Sequence, residues 1–152
     1  MAKEIEYNYI CNFIPIEKPF DIILRGYIHV DKKKQVRISI NTSKKTAKLC
    51  VKIMHNSNER DEFETLINYE EGMNLFTLCD YKFTKANCLI DHPQMRISFN
   101  IYSDGVKTVE LELLEGVKIE DIQIPDYVGE SIDGKFEFSN YHYAGIPKEN
   151  LM

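Results

Sequence analysis

Apolar and polar residues alternate one by one through most of this chain, and no other feature limits its fold as tightly. Side chains on a β-strand point to opposite faces in turn, so each such run predicts a strand with one oily side and one polar side. In QVRISI, Val36, Ile38 and Ile40 oppose Arg37 and Ser39; in KLCVKIM, Leu49, Val51 and Ile53 oppose Lys48, Cys50 and Lys52. RDEFETL sets Arg60, Glu62 and Glu64 against Phe63. MRISFNIY sets Met95, Ile97, Phe99 and Ile101 against Arg96, Ser98 and Asn100, and TVELELL sets Val109, Leu111 and Leu113 against Glu110 and Glu112. The opening KEIEYNYI has the same build, with Glu4, Glu6 and Asn8 on one side and Ile5, Tyr7 and Tyr9 on the other.

Turn signals at VDKKKQ, MHNSNE and YSDGVK separate these runs, and the last predicts a hairpin joining strands at 95–102 and 107–114. Helical signals are fewer. NYEEGMNLFTLCD offers Asn68 as an N-cap, Glu70 and Glu71 in the first turn, and a stripe of Met73, Phe76, Leu78 and Cys79; a second short helix is expected around GKFEFSNYHYAG. Two-faced antiparallel strands build either a sandwich or a closed barrel. The polar face favours the barrel, because Glu4, Glu6, Arg37, Lys52, Glu62, Glu64, Glu110 and Glu112 come from at least five separate strands and include both signs of charge. A wide barrel lets such residues line its interior and hold a polar ligand.

At 152 residues the chain suits one domain, 1–152, with a sizeable core. A formal charge of -5 argues against a general nucleic-acid or membrane surface binder, so any cationic site must be local. MAKEIEY lacks a secretory signal's apolar stretch, and no run is long enough to cross a bilayer, which predicts a cytoplasmic protein. Cys11, Cys50, Cys79 and Cys88 are widely spaced without a CxxC pair and read as plain thiols. His29, His55, His92 and His142 are equally scattered, and none sits in a nucleophile signature.

With these residues in order, the chain resembles the CYTH domains, also called triphosphate tunnel metalloenzymes, over nearly its whole length. The family's opening ExExK looks like Glu4, Glu6 and Asn8; its glycine-tyrosine strand is similar to RGYI at 25–28; its RxR strand resembles Arg37 and Ser39; its strand-borne lysine matches Lys52. Arg60, Glu62, Phe63 and Glu64 resemble its RxEFE-like segment, Lys85, Asn87 and Cys88 its KxRY-like segment, Asn100 a strand that normally carries Asp, and Glu110 with Glu112 the late ExE pair. The resemblance implies an eight-stranded antiparallel barrel with a few flanking helices. Its tunnel would bind a small triphosphate, inorganic or organic, and hydrolyse it with Mg²⁺ or Mn²⁺. On that basis Glu4, Glu6 and Lys52 are the expected catalytic residues. Arg25, Arg37, Lys52, Arg60 and Lys85 would bind substrate, and Glu4, Glu6, Glu62, Glu64, Glu110 and Glu112 would hold metal. Hard divalent cations shared between carboxylates and phosphates fit that layout.

Departures from the family pattern are equally specific. Asn8 stands where the family has Lys, Ser39 and Asn87 where it has Arg, Asn100 where it has Asp, and Ser131 where a late Glu falls, with Glu130 one position early. Arg25, Lys48 and Arg96 are the residues placed to compensate, or else ordinary surface charges. Three readings follow: a metal-dependent triphosphatase with altered or weakened activity, an impaired barrel that only binds a polyphosphate, nucleotide or other anion, and a scaffold using a surface for self-association. Adenylate cyclase chemistry is the least favoured enzymatic reading, and a homodimer is compatible with the family.

Overall fold

The computed structural model describes residues 2–152, in which eight antiparallel strands close into a ring. The strands are β1 (Ala2–Cys11), β2 (Asp21–Val30), β3 (Lys34–Asn41), β4 (Thr46–Met54), β5 (Glu59–Ile67), β6 (Tyr81–Asp91), β7 (Met95–Tyr102) and β8 (Lys107–Leu113). Around the ring they run β1-β5-β4-β3-β2-β6-β7-β8 and back to β1. Closure depends on a division of labour within β1. Its first residues pair with β5, Glu4 facing Arg60, and its later ones with β8, where Glu6 faces Glu112 and Asn8 faces Glu110. A short β9 (Val128–Ser131) extends the sheet from the far end of β1.

The expected alternation is realised with the polar side inward, so the oily sides face out and need covering. On β1, β7 and β8 the cover is chain outside the ring: Ile14, Ile16 and Phe20 from one side, Val117, Ile119, Ile122 and Tyr127 from the other, packed on Ile97, Phe99, Val109 and Leu111. Helix α1 (Tyr69–Leu78) covers Ile38, Ile40 and Ala47 on β3 and β4. Its N-cap is Asn68, whose side chain accepts from the Glu71 amide at 3.1 Å. Met73 and Phe76 pack downward as the sequence predicts, but Leu78 turns away and is 77% exposed. The helix ends there, and Cys79 takes the inward position against Gly26 instead, where an added Cβ would lie 2.7 Å from the Cys79 sulphur.

The C-terminal region closes one end of the ring. After a tight turn at Phe136–Phe138 the expected short helix is present as α2 (Asn140–Tyr143), capped by Ser139. Tyr143 stacks on Tyr102 of β7 with ring centroids 4.1 Å apart, and the Tyr102 hydroxyl donates to Asn140 at 2.9 Å. Tyr27, Ala144 and Ile146 form the core of this plug. Among the described residues no helix is long and apolar enough to cross a membrane.

Gly72 marks how closely α1 docks: a Cβ there would lie 2.6 Å from the Cβ of Ala47. Both atoms are fixed by backbone, so overpacking outweighs the gain of up to about 1 kcal/mol in helix propensity. Gly72→Ala is therefore expected to lower stability by about 1–2 kcal/mol in denaturant melts.

Candidate functional site

The ring encloses a charged tunnel of about 430 Å³. Every strand of the ring contributes inward residues, because a period of two keeps one set of side chains on the same face along the whole strand. Every candidate residue read from the sequence lies on this inner surface; all line the cavity except Lys85, which is buried beside it at 2% exposure. Sequence signs alone did not show how the charges are sorted. Glu4, Glu6, Glu62 and Glu112 from β1, β5 and β8 gather together, whereas Arg25, Arg37 and Lys85 from β2, β3 and β6 form a second group with Glu110 near it.

On the acidic side a salt-bridge network crosses the seam of the ring. Lys52 of β4 donates to Glu4 of β1 at 2.9 Å and lies 3.1 Å from Glu62 of β5. Arg60 reaches Glu4 at 3.4 Å and Glu6 at 3.8 Å. Burial is the largest influence on Glu62 and opposes its ionisation, but the charge of Lys52 and hydrogen bonding with Glu4 and Lys52 together outweigh it and hold that carboxyl below its ordinary range. Glu64 sits nearer the open mouth, bonded to Lys48 at 3.0 Å. Glu112 has no such partner among the described residues. Burial first, then Glu4, Glu6 and Glu62, push its carboxyl up to about 7.

The cationic side is compensated only at longer range, with Glu4 and Glu62 acting on Arg37 and Glu110 acting on Arg25 and Lys85. Arg25, Arg37 and Lys85 have no carboxylate within ion-pair distance among the described residues. Burial and then the neighbouring Arg25 depress the Lys85 amine well below its ordinary value, and Lys85 rests against the Tyr102 ring at 5.8 Å. Arg25 is depressed likewise by burial and then by Arg37. Glu110 lies toward these cations rather than among the other acids, and accepts from Asn100 at 3.1 Å.

The uncharged residues at positions that depart from the family pattern are wired into hydrogen bonds of their own. Asn87 donates to Ser98 at 2.7 Å and to Asn100 at 2.9 Å. Asn8 donates to Asp133 at 3.0 Å, which binds the C-terminal region to β1, and Ser39 accepts from Arg25 at 3.4 Å. Ser131 is exposed on β9, and Glu130 is paired with Lys135 outside the tunnel. Of the three candidate compensators, Arg25 joins the inner cations, Lys48 is half-exposed against Glu64, and Arg96 lies 3.7 Å from Asp91 at the rim. The sequence reading passed over Gln35, Tyr27 and Tyr141, which wall the closed end. Gln35 continues the inward parity of Arg37 and Ser39, a signal that was available.

No protein-family model matches the chain, and no curated protein matches it in sequence. Solved structures match it in shape. The inorganic triphosphatase NE1496 superposes with a TM-score of 0.61 at 16% identity, over 100% of this chain and 97% of that one. The PH1012 protein of Pyrococcus horikoshii OT3 gives 0.65 at 14% identity, covering 98% and 94%. A conserved hypothetical protein from Pyrococcus furiosus gives 0.62 at 15%, covering 98% and 94%. The chain has the CYTH, or triphosphate-tunnel, fold. Within that fold, its acids can be tested against a divalent cation. Among the described residues no three His, Cys, Asp or Glu side chains are gathered as a ready metal cluster. Glu6 and Glu112 nevertheless lie opposite each other in the β1–β8 pairing, and among the described residues Glu112 has no ion-pair partner. That donor set fits an ion such as Mg²⁺, which takes one or two carboxylates and fills its remaining positions with water and phosphate.

The raised Glu112 sets a pH dependence. Its folded-state value lies above the unfolded one, so its contribution favours the fold below about 4.5 and is lost as pH rises through about 7. Glu112→Gln is expected to melt above the parent protein at pH 8 without added metal, with the difference closing toward pH 4.5. Melting curves across that range check it, and an unchanged difference across the range would contradict it.

Proposed function

We propose that the tunnel binds a small triphosphate and, with a divalent cation, hydrolyses it. The observation that carries this reading is the cluster of part-buried Arg25 with buried Arg37 and Lys85, none within ion-pair distance of a carboxylate among the described residues, in one ring with the acids of β1, β5 and β8. Burying like charges together is costly in the absence of an anion, and a multiply charged phosphate chain offsets that cost at every oxygen it presents. The triphosphatase NE1496, which shares this fold, supports the choice of a phosphate chain over other anions.

In this reading Arg25, Arg37 and Lys85 hold phosphate oxygens and stabilise charge that spreads onto them during phosphoryl transfer. An arriving anion restores the Lys85 amine to its charged form, because the cost that depresses it is burial among cations. Lys52 and Arg60 act on the carboxylates. Lys52 spends its charge on Glu4 and Glu62 and fixes both, while Arg60 does the same between Glu4 and Glu6. Glu6 and Glu112, with Glu4 and Glu62 behind them, are the groups that would hold Mg²⁺ or Mn²⁺. When bound, the ion would polarise a phosphoryl oxygen as a Lewis acid. The enclosed strand wall keeps bulk water from the rest of the chain of phosphates, and the plug closes the far end.

A second reading, capture without turnover, draws on the uncharged side chains at Asn8, Ser39, Asn87 and Asn100, where cations or an acid would otherwise act. Phosphate release from tripolyphosphate with Mg²⁺ or Mn²⁺ separates the two. Release is expected, with loss on chelation by EDTA and a decrease of roughly 10- to 100-fold in kcat/KM for Lys85→Met, the value of one charge-assisted contact. Removing a buried amine that no carboxylate pairs among the described residues should leave the ligand-free melting temperature of that variant unchanged or higher. Stabilisation by tripolyphosphate without release would select the binding reading, and neither release nor stabilisation would end both.

A further inference from the structure

Gln35 occupies an inward position of β3 two residues before Arg37, and it is 3% exposed. Its carboxamide is engaged at both ends. The oxygen accepts from Arg37 Nη1 at 3.4 Å, and the nitrogen donates to the Tyr141 hydroxyl of α2 at 2.8 Å while lying 3.9 Å from Met54 Sδ. A guanidinium only donates, so the amide oxygen must face Arg37, which leaves the NH₂ group for Tyr141. Held at Nη1, Arg37 keeps its Nε buried and without a hydrogen-bond partner among the described residues. A buried donor left unmade is costly, and this one belongs to a cation on the tunnel wall.

We infer that Gln35 is a positioning residue of the tunnel, orienting Arg37 toward a bound polyanion without neutralising it and tying that orientation to the C-terminal plug through Tyr141. The inference rests on the anion-binding reading and adds a residue to it. Its physical core is the difference between an amide and a carboxylate of the same shape. Glutamate at 35 would pair with Arg37 in a buried setting and discharge the cation that an anion needs. Glutamine supplies the same geometry and leaves the full charge available. The Gln35–Tyr141 bond then places α2 one hydrogen bond away from the Arg37 contact, so the plug becomes part of the site as well as its lid.

Titration with tripolyphosphate at fixed ionic strength, alongside ligand-free melting curves, tests this on the full chain. Gln35→Glu is expected to bind roughly 10- to 100-fold more weakly, the loss of one charge-assisted contact, while melting at or above the parent temperature. Gln35→Leu is expected to melt lower, since Arg37 loses its partner, yet to bind more tightly than Gln35→Glu. That crossed order of stability and affinity is not produced by a residue that merely fills space. Tyr141→Phe is expected to weaken binding severalfold, and unchanged binding would remove the link to the plug. Parental affinity in Gln35→Glu, or an affinity loss that simply follows a fall in melting temperature, would overturn the inference. If the parent protein fails to bind, or Lys85→Met binds equally well, the anion-tunnel reading itself falls and takes this one with it.

Discussion

Lys52, clamped between Glu4 and Glu62, spans the seam where the ring closes, and the rest of the structure depends on that buried junction. The lysine belongs to β4, one acid to β5 and the other to β1, with side chains of Lys52 and Glu4 only 5% and 7% exposed. Such pairs contribute little against an apolar replacement, but removing one partner strands a charge and costs about 3–5 kcal/mol. The pairing therefore specifies more than it stabilises: it rewards the one closure that brings β1 beside β5 with its acids pointing inward. A slip of one residue in β1 would send Glu4 and Glu6 outside and put Ile5 and Tyr7 into the tunnel.

Turning the polar faces inward reverses the usual arrangement of a small domain and moves the hydrophobic core to the outside of the ring. That core exists as three separate clusters, each made by a different covering: chain flanking the ring over β1, β7 and β8, helix α1 over β3 and β4, and the plug over one end. Helix α1 and β9 each have positions where little room remains. Gly72 and Gly26 let α1 and its end approach the sheet, and Gly129 lets β9 approach Ile10 and Asn12. The apolar stabilisation is thus spent on holding walls rather than filling a centre, which leaves a charged interior free for a ligand.

Much of this was legible in the chain. The alternation in β3, β4, β7 and β8 gave the strands and their faces, Asn68 gave the helix start, and SDG gave the hairpin between β7 and β8. Charges on the polar face told which residues could meet. What escaped was how they pair. Lys52 and Arg37 look alike as inward cations, yet one is saturated by two carboxylates and the other, among the described residues, keeps a donor unpaired. Glu110 and Glu112 share a motif and a face, yet one lies toward the cations and the other among acids. Leu78 joined the expected stripe but faces solvent, because a helix turns about 200° in the two residues after Phe76 and carries Leu78 away from the sheet. Arg25 offered no way to tell a compensating cation from a surface charge until its neighbours were in place.

The sequence by itself determined which side chains share a face, since that follows from the two-residue period of an extended backbone and needs no knowledge of neighbours. It also determined that charges of both signs had to be accommodated on that face. Only the tertiary structure decided which of them form ion pairs and which do not. Coulombic pairing depends on distances between strands far apart in the chain, and those distances are set by ring order and register, which no local pattern encodes.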